Sequence, residues 1–159
     1  MDLPAEGKAL KGITVKEIFA DKFEFTEKSV PAKVAILRQG ERCGLIYVLV
    51  KGAVTIIKNN QTICTVKEPG AVFGELSVLL GSYQNATVQT CEASEFHVIK
   101  GEEQFLSKLE TEPRLALHLS KMLARRLALL DSNFSDLKSR IEQMQQSVLN
   151  LSEEPGKLG

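Results

Sequence analysis

Pro69-Gly70-Ala71-Val72-Phe73-Gly74-Glu75-Leu76-Ser77-Val78-Leu79-Leu80 is the stretch that decides how this chain is read. It sits inside a run of short strands cut by turns. At Gly74 the period-2 alternation stops, and Glu75 to Leu80 reads as one or two helical turns inserted between strands. A helix N-terminus leaves backbone N–H groups without intrahelical partners, and a glycine ahead of it lets an anion approach closely. The stretch therefore marks a candidate phosphate site within a β-rich region.

Outward from it, alternation and turn residues divide the chain in both directions. Phe23-Glu24-Phe25-Thr26 alternates as a strand, and Val34 to Leu37 is another, ended by Gln39-Gly40. Leu45 to Val50 is an apolar run. Gly52 precedes Val54-Thr55-Ile56-Ile57, and Thr62 to Val66 returns after Asn59-Asn60, a hairpin turn because Asn tolerates positive φ. Pro69-Gly70 is a turn, and Ala86 to Thr90 and Phe96 to Ile99 are the last two strands. Strands this short with turns this regular suggest a sandwich or barrel of about eight strands over residues 23–112. Ahead of it, residues 1–22 read as a loop and a short helix, since Thr14-Val15-Lys16-Glu17 has capping-box spacing.

Beyond the strands the period changes. Gly101-Glu102-Glu103 starts a short helix, and Pro113 opens a long one that runs to Leu151. Its apolar residues Leu123, Leu127, Leu130, Phe134, Leu137, Ile141, Met144, Val148 and Leu151 alternate spacings of four and three. Between Asp131 and Ser147 every other residue is polar. A stripe this narrow is a coiled-coil seam rather than a face packed on a globular core. There is no second long helix to pair within the chain, so residues 113–151 predict a parallel homodimer. Residues 152–159 read as a tail or linker.

The chain has 159 residues, and Lys+Arg 20 balances Asp+Glu 20. That length suits one domain plus an appendage. Zero net charge argues against a large basic nucleic-acid surface. The basic group Lys121, Arg125, Arg126, Lys138 and Arg140 is interleaved with Asp131, Asp136 and Glu142, as on a solvated coiled-coil flank. No recognition helix follows the long helix, so no DNA contact is expected from this chain. Cys43, Cys64 and Cys91 show no CxxC pattern and read as reduced, buried small side chains of a cytoplasmic protein. No membrane span or signal peptide is expected. His97 and His118 lie far apart, and neither a catalytic triad, a metal cluster nor a P-loop is present, so neither an enzyme nor a metal cofactor is expected.

Several pieces then occur in a characteristic order: Gly40-Glu41, Leu45-Ile46-Tyr47-Val48-Leu49, Gly52-Ala53-Val54, Pro69 to Leu76, Ala86-Thr87-Val88 and Met122-Leu123-Ala124-Arg125-Arg126-Leu127. Together they resemble the cyclic-nucleotide-binding domain of the catabolite-activator (Crp/Fnr) type, over roughly Phe23 to Leu137. The resemblance implies a mainly β fold with some α, an eight-stranded β-roll of jelly-roll type with short helices and a long C-terminal coiled-coil helix. It implies a phosphate-binding cassette at Gly74 to Thr87, where the backbone N–H groups of Glu75, Leu76 and Ser77 hold the cyclic phosphate. Glu75 would accept from the ribose 2′-OH, since a carboxylate only accepts. Arg126 would pair with Glu75, and Leu130 and Asp131 would meet the base. Phe73, Gln84, Asn85, Ala86 and Thr87 complete the expected pocket.

The cassette departs from the family at its charged position. Where the family carries an Arg that neutralises the cyclic phosphate, this chain has Gln84, and Tyr83 replaces the preceding Pro. Hydrogen bonds to a charged group contribute about 1.5–3 kcal/mol, against about 1 for a neutral pair. Loss of the cation is therefore expected to weaken cyclic-nucleotide binding tenfold or more, as about 1.4 kcal/mol is tenfold. The expected function is a dimeric sensor that binds a cyclic nucleotide such as cAMP or cGMP and relays it through the helix. The alternative is a degenerate dimerising adaptor.

Overall fold

Residues that tolerate positive φ cut the β region into its strands. Asn59 (φ 50°) and Asn60 (φ 62°) make the tight turn between β4 (Val54–Lys58) and β5 (Gln61–Val66). The other strands are β1 (Phe25–Val30), β2 (Ala35–Leu37), β3 (Leu45–Lys51), β6 (Val72–Phe73), β7 (Thr87–Thr90) and β8 (Ser94–Lys100). The structure is a computed structural model that describes residues 23–153. The expected short helix at Thr14 and the last residues of the expected tail lie outside that range.

The eight strands form two four-stranded antiparallel sheets, ordered β1-β8-β3-β6 and β2-β7-β4-β5. Their facing sides share one core. Val30, Tyr47, Leu49, Phe73, Phe96 and Val98 come from the first sheet, and Leu37, Val54 and Val88 from the second. Tyr47 and Phe96 meet edge to face at 5.6 Å between ring centroids, a favourable aromatic geometry. Phe23 stacks on Phe105 of helix α2 (Glu102–Thr111) at 5.6 Å.

The sequence expectations hold for the strands and for the three helices of the described residues, with small differences at the edges. The first strand starts at Phe25 rather than Phe23. The two-residue β6 was not foreseen, because a pair of residues shows no period. The long helix, α3, spans Pro113–Glu153, so Ser152 and Glu153 of the expected tail are helical. The chain divides into two compact units after His118, so the opening of α3 belongs to the first unit.

The cysteines correct an expectation: Cys43, Cys64 and Cys91 are free but all exposed. Cys43 and Cys91 lie outside regular structure, and Cys64 lies on β5, whose residues are exposed except the half-buried Val66. That strand is the outer edge of its sheet, and of its residues Val66 packs against the core while Cys64 stays exposed.

In the second unit the heptad seam faces water. Leu127, Leu130, Phe134, Leu137, Ile141, Met144 and Val148 are 47–71% exposed in the single chain. Leu123 is half-buried. Among the described residues, no helix is long and apolar enough to cross a membrane.

Candidate functional site

The inserted turns are a helix, α1 (Glu75–Leu80), held between two left-handed glycines. Gly74 has φ 90° and Gly81 φ 60°. At Gly74 a Cβ atom would run into the Leu45 carbonyl oxygen and meet Leu37 Cδ1 at 3.4 Å. Positive φ and this close approach both require glycine there. The far end closes with hydrogen bonds from Gly81 N–H to Val78 O (3.4 Å) and from Ser82 N–H to Ser77 O (3.0 Å).

The loop after α1 is fixed against a second segment. Gln84 N–H donates to Glu41 O (2.8 Å), and Gly40 N–H donates to Gln84 O (2.8 Å). This reciprocal pair places Gln84 inside the roll, where it is 7% exposed. Its neighbours Tyr83 and Asn85 face water. The Thr87 hydroxyl accepts from Gln39 N–H at 3.0 Å.

Three polar side chains of the cassette are consequently buried: Glu75 (2% exposed), Ser77 (1%) and Gln84 (7%). Glu75 is engaged within the protein. Ser77 Oγ and Gln84 Nε2 are buried with no hydrogen-bond partner. Buried polar groups are nearly always paired, because leaving one unsatisfied costs about 1–3 kcal/mol.

The structure thus brings Phe73, Gly74, Glu75, Leu76, Ser77, Gln84, Ala86 and Thr87 into one unit, with Phe73 in the core and Leu76 partly exposed. Asn85 points into solvent. Arg126, Leu130 and Asp131 belong to the second unit, where Leu130 and Asp131 are exposed. The sequence did not reveal that Gln84 and Ser77 are buried. An amide between Tyr83 and Asn85 in a Gly-flanked loop has the composition of a surface turn. The signal lay in Gly40-Glu41, whose backbone draws Gln84 inward. Among the described residues, no group of three or more His, Cys, Asp or Glu side chains is arranged to hold a metal.

This fold and cassette define a ligand-binding β-roll, and comparison with known proteins agrees. The model of the cyclic nucleotide-binding domain family matches residues 27–112. The chain belongs to the cyclic nucleotide-binding domain family. It is 28% identical over 138 residues to the cAMP-activated global transcriptional regulator CRP of Salmonella typhimurium, covering 79% of this chain and 62% of that protein. The crystal structure of Thermus thermophilus catabolite activator protein is 26% identical, with a TM-score of 0.61, covering 72% of this chain and 55% of that one. A cyclic nucleotide-binding domain from Methylobacillus flagellatus shares the fold at 24% identity and a TM-score of 0.57, covering 82% of this chain and 72% of that one. The chain spans about three fifths of the length of the curated relatives it matches.

Proposed function

We propose that this chain is a dimeric regulatory sensor. Its β-roll binds a ligand of the cyclic-nucleotide type in the Gly74–Thr87 cassette, and its long helix joins two copies and relays the bound state. The observation that carries this reading is the buried pair of unpartnered polar atoms, Ser77 Oγ and Gln84 Nε2, beside the buried Glu75 carboxylate. A carboxylate only accepts, so it calls for a donor hydroxyl such as a ribose 2′-OH. Family membership gives the ligand class.

The helix supports self-association. Its seam places Leu127, Phe134, Ile141 and Val148 at one heptad position and Leu123, Leu130, Leu137, Met144 and Leu151 at the other. The C-terminal half, with β-branched Ile141 and Val148 at a and mostly Leu at d, fits a parallel two-stranded coil. Exposed seam residues are costly for a lone helix and are covered in a dimer. Relay requires different contacts in the two states, and in this reading Leu130 and Asp131 of α3 make them. Three exposed free thiols suit the reducing cytoplasm.

A ligand-free adaptor is the second reading, favoured by the uncharged Gln84. Calorimetric titration with cAMP and cGMP separates the two. Heat from the wild type that Glu75→Ala abolishes supports the sensor. Silence from the wild type together with binding by Gln84→Arg supports the adaptor. Light scattering at tens of micromolar should give a dimer mass for the wild type and a monomer mass for Phe134→Arg/Leu137→Arg. A monomeric wild type would end the dimer proposal.

A further inference from the structure

The strand ladders stop short of the cassette loop. β2 pairs with β7 as far as Leu37 and Val88, and β4 pairs with β7 as far as Ile57 and Thr87. Beyond those pairs lie the turn of residues 38–41, the hairpin tip at Asn59 and the loop that carries Gln84. Gln39 is bonded to all three. We propose, resting on the reading that the cassette binds a ligand, that Gln39 is a positioning residue. It fixes the loop of residues 84–87 by tying it to the tip of the β4–β5 hairpin.

The turn is built for this. Glu41 N–H donates to Arg38 O at 3.1 Å, and Gly40 takes the positive φ (83°) that a type II turn needs at its third residue. Its backbone holds the loop. Gln39 N–H donates to the Thr87 hydroxyl (3.0 Å), and Gly40 and Glu41 exchange bonds with Gln84. The Gln39 side chain holds the hairpin. Its Nε2 donates to Asn59 Oδ1 (2.8 Å), and its Oε1 accepts from Asn59 N–H (2.9 Å).

These bonds suit positioning better than stability. Gln39 and Asn59 are both exposed, and an exposed hydrogen bond competes with water and adds little to global stability. Two reciprocal bonds between one pair of residues nevertheless set the orientation of the amide, and with it the orientation of the turn. Gln84 is buried, so the path of its backbone decides where its side chain lies.

Residue-resolved amide hydrogen exchange of the unliganded full chain tests this. Gln39→Ala should quicken exchange at Gln84 and Gly40 by about threefold to tenfold, the worth of about one hydrogen bond. Amides of the β3–β8 ladder should keep their rates. Asn59→Gly suits the positive φ there and leaves the N–H, but it removes the Oδ1 acceptor. It should quicken the same two amides by a smaller factor. Asn59→Asp keeps an acceptor and should match the wild type. All three variants should melt within about 2 °C of the wild type. Unchanged exchange at Gln84 in Gln39→Ala overturns the proposal. So does equal quickening across the β3–β8 ladder, which would make Gln39 a purely structural residue.

Calorimetric titration with cAMP and cGMP adds the ligand readout. Gln39→Ala should bind about threefold to tenfold more weakly than the wild type, and Asn59→Asp should bind equally well. Equal affinity of the wild type and Gln39→Ala overturns the positioning role and leaves the sensor reading standing. A wild type that binds neither nucleotide overturns the sensor reading, and with it the role of Gln39 in binding.

Discussion

Two sets of buried polar side chains in the same roll differ in how they are bonded. Around β7 and β8, every one is saturated. The Thr90 hydroxyl donates to Pro31 O (2.6 Å) and accepts from Val34 N–H (3.0 Å). The Ser94 hydroxyl donates to Glu92 O (2.9 Å) and accepts from Ala53 N–H (3.2 Å). In the cassette, Ser77 Oγ and Gln84 Nε2 are as deeply buried and have no partner. The first set closes turns and joins strands. The second sits on a backbone held through Gly74 at one end and the Gly40–Glu41 pairing at the other, and in the proposed function a ligand is its partner.

Substitution should break this contrast in predictable directions. Thr90→Val keeps the shape but leaves Val34 N–H and Pro31 O unpaired. It should cost about 2–3 kcal/mol and lower Tm by roughly 5–10 °C, measured by calorimetric melting. A change under a degree would show that the structural set is not needed for folding. Ser77→Ala removes an unpaired buried group, so the unliganded protein should be unchanged or stabilised by up to about 1 kcal/mol. Urea titration reads that sign, and a clear loss of stability would mean that Ser77 has a structural task.

The smallest effect concerns Tyr47, buried in the core beneath Phe96. Burial, and secondarily the charge of nearby Cys43, raises its phenol above the usual 10.0. The folded state therefore holds this proton more tightly than the unfolded state. The associated stability is complete below pH 10.0 and is lost as pH rises toward the folded value. Tyr47→Phe should lose less stability than the wild type on passing to about pH 11, followed by denaturant melts. Parallel curves would contradict the burial argument.

Much of the fold was legible because the strands obey local rules. Asn59-Asn60 announced its hairpin by tolerance of positive φ, and the loss of alternation at Gly74 announced α1. The long helix was legible for the same reason, as its apolar period is written in Leu123 to Leu151. What failed depended on contacts distant in sequence. The exposure of Cys64 follows from β5 being a sheet edge, which strand order decides and local pattern does not. The burial of Gln84 follows from backbone bonds to Gly40 and Glu41, more than forty residues earlier. Glu75 was legible as a candidate through its motif, but the burial of Ser77 was not.

The central claim is that the unpartnered cassette atoms wait for a ligand. Its most direct test is the ligand-induced thermal shift of the wild type and of the double variant Ser77→Ala/Gln84→Leu, with cAMP and cGMP in excess. At a concentration about a hundred times Kd, binding adds about 2.7 kcal/mol. The wild type should therefore melt several degrees higher with its preferred ligand, and the double variant should not respond. No shift of the wild type with any of these ligands, or an equal shift in the double variant, would contradict the account.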